Sequence, residues 1–193
     1  MRRIRLAAAL LLLAVACTPA ATAPATLVGT DLGTAPAPDF TLTDGISGRA
    51  IRLGDQQGRI IALTFLYTRC PDVCPLTAET LRQAQKQLGP ADADQVLFVA
   101  VTIDPEHDTP AVVQAFAAAH GLERNFAYLV GSTAQLRSVW SAYGIRVVAD
   151  PTNPGHSDAI YLIDRKGRER ALVHSDIGAT DLLADLRLLL KEK

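Results

Sequence analysis

Two cysteines stand inside the stretch TFLYTRCPDVCPLTAETL, Thr64 to Leu81: Cys70 and Cys74, three residues apart and each followed by a proline. Thiols at this spacing could exchange disulfides, staple a loop or hold a soft metal ion. Pro75 suits the first turn of a helix, which places Cys74 near the N-cap and Cys70 in the preceding loop. Unpaired backbone N–H groups and the positive end of the helix dipole stabilise a thiolate there, so the position predicts that both thiol pKa values are lowered. Thiolate is the reactive form for exchange and for metal binding alike. A staple is the weakest of the three readings, because closing so short a loop removes little unfolded-state entropy.

A metal needs at least one more ligand, and the chain has four histidines. His120 precedes Gly121 at a predicted helix end, where a cation complements the dipole. His174 ends a predicted hairpin strand and has no partner in the pattern. His107 lies in DPEHDTP, after a strand ending at Asp104, and could approach the cysteines. His156 lies in PGHS, immediately before the strand AIYLID, in a loop expected to face Cys70 and Cys74. Two thiolates and one imidazole suit Cu(I), which favours soft ligands and low coordination numbers. Structural zinc would want a fourth strong ligand.

These residues need elements to position them. Short strands are predicted over Phe40–Thr43 and Ala50–Leu53, around Asp44-Gly45 and Ser47-Gly48 turn signals. Ile60–Tyr67 and Val96–Asp104 are continuous apolar runs, as in strands buried on both faces. A helix follows each: Leu76–Leu88, stopped by Gly89-Pro90, and Thr109–His120, with Pro110 in its first turn. A short strand over Phe126–Val130 leads to a capping box, Ser132 with Gln135, that opens a helix to Tyr143. Strands over Ala159–Asp164 and Glu169–His174 and a helix over Thr180–Lys191 complete the order. Alternation of this kind implies parallel central strands with helices on both faces, and a site at the C-terminal ends of those strands.

The 193 residues, 49% hydrophobic, are enough for one domain with a sizeable core. Residues 1–16 carry Arg2, Arg3 and Arg5 ahead of an apolar run of roughly ten residues, too short to span a bilayer comfortably. The following LAVAC resembles a bacterial lipobox, so Cys17 is expected to become a lipidated N-terminus outside the cytoplasm. Residues 17–38, rich in Ala, Thr, Pro and Gly, read as a flexible tether, and residues 39–193 as the folded domain. Without residues 1–16 the chain keeps 16 basic and 20 acidic residues, a formal charge of −4. No basic patch points to nucleic acid. With Cys17 acylated, Cys70 and Cys74 are the remaining thiols.

TFLYTRCPDVCP, VTIDPEHDTP and GHSDAIYLID, in this order, resemble the three signatures of the Sco/SenC family over about Pro38–Leu190. The resemblance implies a thioredoxin-like fold, a central mixed sheet flanked by helices with an N-terminal β-hairpin. It implies a copper-binding protein that assists assembly of the binuclear CuA centre of cytochrome c oxidase. Its partner would then be the CuA-bearing subunit or another copper protein. Cys70, Cys74 and His156 match the family's copper ligands. Asp104 and Asp108 match its nearby acids, Asp104 being the candidate support for the histidine or for a Cu(II) form. Two positions differ from the family pattern: His107 replaces the usual arginine, and Asp150–Gly155 is short. The alternative is an extracytoplasmic thiol-disulfide oxidoreductase in which Cys70 attacks and Cys74 resolves. A peroxiredoxin is disfavoured, because the position three before Cys70 is Tyr67 instead of threonine. So is an ordinary thioredoxin, because Arg69 precedes Cys70 and the spacing is one residue longer.

Overall fold

The computed structural model describes residues 26–122, 124–148, 150, 154–174 and 177–192. The expected signal segment, Cys17 and the first part of the expected tether lie outside them. In chain order the elements are β1 (Thr30–Asp31), β2 (Thr41–Asp44), β3 (Ala50–Arg52), a 3-10 turn (Leu53–Gln56) and β4 (Ile60–Leu66). Then come α1 (Val73–Gln87), α2 (Pro90–Ala93), β5 (Val96–Thr102), α3 (Pro110–Ala119), β6 (Phe126–Val130) and α4 (Thr133–Ala142). The chain ends with β7 (Val147–Val148), β8 (Gly155–His156), β9 (Ile160–Ile163), β10 (Glu169–Val173) and α5 (Ala179–Lys191).

Eight strands form one mixed sheet in the order β1-β10-β9-β4-β5-β6-β2-β3. β4, β5 and β6 are parallel, while β9 runs antiparallel to β4. All seven residues of β4 and all seven of β5 are buried, as their unbroken apolar runs predict for central strands covered on both faces. From β4 to β5 to β6 the chain steps the same way, so right-handed crossovers lay α1 and α3 over one face. The return from β6 to β9 carries α4 over the other. There Tyr143, at the end of α4, packs its ring against Phe65 of β4 and Tyr161 of β9. The thioredoxin-like architecture and the N-terminal hairpin β2–β3 are as the sequence implied.

The ends of the elements follow local chemistry. α4 carries the full capping box, with Ser132 and Gln135 each bonding the other's backbone N–H. α3 has Pro110 in its first turn, and His120 closes it with Gly121 behind at φ +63°. α1 begins three residues earlier than predicted, at Val73, because Pro75 fits within the first turn and does not have to open it. Pro90 does not simply stop the chain but opens the one-turn α2.

The largest departure is N-terminal. Part of the stretch read as tether is fixed: Thr30 and Asp31 pair with Leu172 and Ala171 of β10. The backbone N–H groups of Val28 and Gly29 donate to the Asp185 carboxylate on α5, at 2.7 and 2.9 Å. Low hydrophobicity hid this segment, since main-chain pairing to an existing sheet edge and one buried acid hold it without a side-chain pattern.

Candidate functional site

The loop after β4 turns back at once, with the Cys70 N–H donating to the Tyr67 carbonyl at 3.3 Å. It then delivers Cys74 into the first turn of α1. The Cys74 N–H donates to Cys70 Sγ at 3.3 Å, so the Cys70 sulfur caps the helix start. The Asp72 N–H and the Tyr67 hydroxyl also bond this sulfur. Partial burial opposes its ionisation, but the donors, led by the Cys74 thiol, outweigh it and lower the Cys70 pKa.

Cys74 behaves oppositely. Its side chain is 0% exposed, and burial, then its hydrogen bond to Cys70, push its pKa far up. The expectation that both thiols are acidic is therefore corrected: desolvation in the core exceeds the field of the helix N-terminus. Both described cysteines are free thiols.

His156 comes from 82 residues along the chain, and its Nε2 lies 4.0 Å from Cys74 Sγ. It does not sit in a loop, as the sequence suggested, but in β8, the second strand of a small antiparallel ribbon with β7. Its Nδ1 is 2.9 Å from the Ser157 carbonyl. A carbonyl accepts only, so Nδ1 is the donor in this pair and Nε2 is the ring nitrogen turned toward the sulfur. Tyr67 meets the imidazole edge-to-face at 5.9 Å. Cys70, Tyr67, Pro71, Val73, Pro154 and His156 are among the residues lining a cavity of about 190 Å³ between the cysteine loop and β8. Among the described residues no three His, Cys, Asp or Glu side chains form a ready-made metal cage. The thiols and the imidazole are neighbours that a metal would have to draw together.

The other expected residues fall as follows. Asp104 stands one shell out: its Oδ2 accepts from Arg69 Nε (3.1 Å) and Nη2 (2.7 Å), and its Oδ1 lies 2.8 Å from His107 Nδ1. Burial opposes its ionisation, but these two partners hold its carboxyl below the usual range. His107 thus joins Asp104 and Arg69, while His174 finds the Asp158 carbonyl at 3.2 Å. His120 packs against the Phe116 ring at 4.4 Å. Sequence reasoning used Arg69 and Tyr67 only to set aside a thioredoxin and a peroxiredoxin, and gave neither a role at the site. Their only signal was nearness to Cys70 in the chain. A cleft of about 580 Å³ adjoins the site on the side of Arg69, Asp104, His107 and Trp140, sharing Pro154 with the smaller cavity.

The SCO1/SenC family model matches residues 29–191. A SCO2-like protein of Rickettsia felis is 28% identical over 156 residues, spanning 77% of this chain and 74% of its own. The solution structure of apo Sco1 from Thermus thermophilus superposes with a TM-score of 0.74 at 30% identity, over 85% of this chain and 97% of that one. ScoI of Bradyrhizobium japonicum, solved with copper bound, superposes at 0.72 with 29% identity, over 80% of this chain and 99% of that one. The family match begins beside the N-terminal strand and ends with the last helix, taking in both cysteines and His156, and the chain belongs to the SCO1/SenC family.

Proposed function

We propose that this chain is a lipid-anchored, extracytoplasmic copper carrier in which Cys70, Cys74 and His156 hold Cu(I). The observation that carries the reading is the 4.0 Å approach of an imidazole nitrogen to a thiol that also contacts a second, acidic thiol. Ligand bonds of roughly 2.0–2.3 Å at a wide angle separate an S and an N donor by about 3.6–4.3 Å, so little movement is needed. Cu(I) arrives by ligand exchange, beginning at the accessible Cys70 thiolate, and Cys74 gives up its proton as the metal replaces it. The same exchange in reverse hands copper to the CuA-bearing subunit of cytochrome c oxidase or to another copper protein. The copper-bound relative from Bradyrhizobium japonicum supports the choice of metal.

Anchoring through Cys17 accords with the direction of β1. Being antiparallel to β10, that strand begins at the end of the sheet that bears the thiols.

The test is a titration of the reduced full-length chain with Cu(I) under competition. One tight equivalent is expected for the wild type, and His156→Ala should weaken it by more than about 100-fold. Equal affinity in the two proteins would remove His156 from the site.

A second reading is favoured by the opposite shifts of the two thiols. The Cys70 thiolate attacks a disulfide in an acceptor, releasing one thiolate and forming a mixed disulfide. Cys74 then loses its proton and attacks Cys70 Sγ, releasing the second thiolate, so the acceptor gains two electrons and the pair becomes oxidised. Turnover of a peptide disulfide that is as fast in His156→Ala as in the wild type would favour this reading.

A further inference from the structure

Asp108 lies in the loop between β5 and α3, and it is 2% exposed. Its carboxylate takes four hydrogen bonds. Oδ1 accepts from the Thr68 N–H at 3.1 Å and the Thr68 hydroxyl at 2.6 Å. Oδ2 accepts from the Thr102 hydroxyl at 2.6 Å and the Tyr128 hydroxyl at 3.1 Å. The acceptor sites of one carboxylate are thereby used, and two neighbouring parallel strands are tied at one point to the turn that follows a third. Thr102 ends β5 and Tyr128 belongs to β6. Thr68 belongs to neither, since it lies in the turn that carries Cys70, two residues before the sulfur.

A buried acid that merely satisfied the core would be expected to bond to the elements it packs between. Half of the bonds to Asp108 go instead to a single loop residue, through main chain and side chain together. That bidentate grip fixes both the backbone and the rotamer of Thr68. It leaves the Tyr67–Cys70 turn, closed by its own 3.3 Å hydrogen bond, little freedom.

We infer that Asp108 is a positioning residue for the dithiol: it grips Thr68 and so holds Cys70 Sγ over the start of α1, beside Cys74. Its effect on copper rests on the carrier reading above, whereas its effect on the pairing of the two thiols does not.

The experiment uses the full chain with Asp108→Asn, Thr68→Val and, as a stability control, Leu189→Ala, whose buried side chain lies near the end of α5. Three quantities are read: melting temperature, Cu(I) affinity, and the equilibrium constant of the Cys70–Cys74 disulfide against glutathione. Loosening the turn lowers the effective concentration of one thiol at the other. Asp108→Asn and Thr68→Val are therefore expected to disfavour the internal disulfide roughly tenfold, about 30 mV. They should weaken Cu(I) by about 10–100-fold, as loss of an outer-shell partner does. Leu189→Ala should lower the melting temperature and leave both constants alone. If Asp108→Asn lowers the melting temperature while both constants stay at wild-type values, Asp108 only supports the fold and the inference is overturned. If Asp108→Asn does not fold, Thr68→Val decides, and a wild-type disulfide constant there overturns it equally. A wild-type chain that binds no copper defeats the carrier reading, and the disulfide constant still tests Asp108.

Discussion

The sulfur of Cys70 accepts main-chain N–H groups at the start of α1, while that of Cys74, one helical turn further on, is enclosed by the core. Sequence spacing places both near the same dipole, and only burial separates them. A lowered pKa means more thiolate at a given pH, so Cys70 should be alkylated by iodoacetamide at pH values below those needed for an ordinary thiol, about 8.5. In a Cys70→Ser variant the remaining Cys74 should stay unreactive until the protein is unfolded. Faster modification of Cys74 than of Cys70, followed by peptide mass mapping, would contradict the assignment. Asp104 supplies a second test at this scale. Its folded pKa lies below its unfolded value, so its contribution to stability is present above the unfolded pKa of about 3.9 and is lost as pH falls through the folded one. Asp104→Asn should therefore unfold at lower urea than the wild type at pH 7, and the gap should close as pH falls below about 4. A gap that persists unchanged into acid would mean that the Arg69 and His107 partnership is not electrostatic. The sequence offered Asp104 as an acid near the site. That Arg69 and His107 would occupy it depended on two side chains meeting across loops.

At the scale of elements, the most legible were those with a long period or a local cap. β4 and β5 are seven-residue apolar strands, and β6 runs over Phe126–Val130 as read. The capping box of α4 is a contact between residues three apart, so it was visible without any tertiary structure. Ser132→Ala removes the acceptor for the Gln135 N–H and should destabilise the protein by about 1 kcal/mol in urea denaturation. An unchanged midpoint would mean that tertiary packing alone defines the start of α4. The strands β1, β7 and β8 have two residues each, too few to show a period, and their partners are what make them strands. The ribbon β7–β8 matters most among them, because pairing Val147 with His156 and Val148 with Gly155 is what presents the imidazole to the thiols.

For the whole molecule, the decisive contact is the clamp on the N-terminal arm. Asp185, 1% exposed in the middle of α5, receives the Val28 and Gly29 N–H groups, and Gly29 passes so close to β10 that a Cβ there would lie 2.8 Å from a Val173 methyl. Asp185→Ala leaves those two amides without their acceptor and should cost about 2–3 kcal/mol. It should also open residues 28–31 to proteolysis at concentrations that spare the wild type. Equal protection in both proteins would show that pairing to β10 is sufficient. The sequence by itself determined the order of the main elements, the mixed αβ class, and the thiols and imidazole that could meet at the strand ends. Those follow from local chemistry and periodicity, which act between near neighbours in the chain. Tertiary structure decided which thiol is acidic, that His156 stands on a ribbon with its Nε2 toward Cys74, that Asp108 grips the cysteine turn, and that part of the expected tether is a strand. Each of these depends on burial or on donors more than twenty residues away, and no local pattern encodes how much water a group will lose. The pair first legible as two thiols at an unusual spacing is, in three dimensions, one accessible sulfur and one enclosed sulfur beside a histidine from the far side of the sequence.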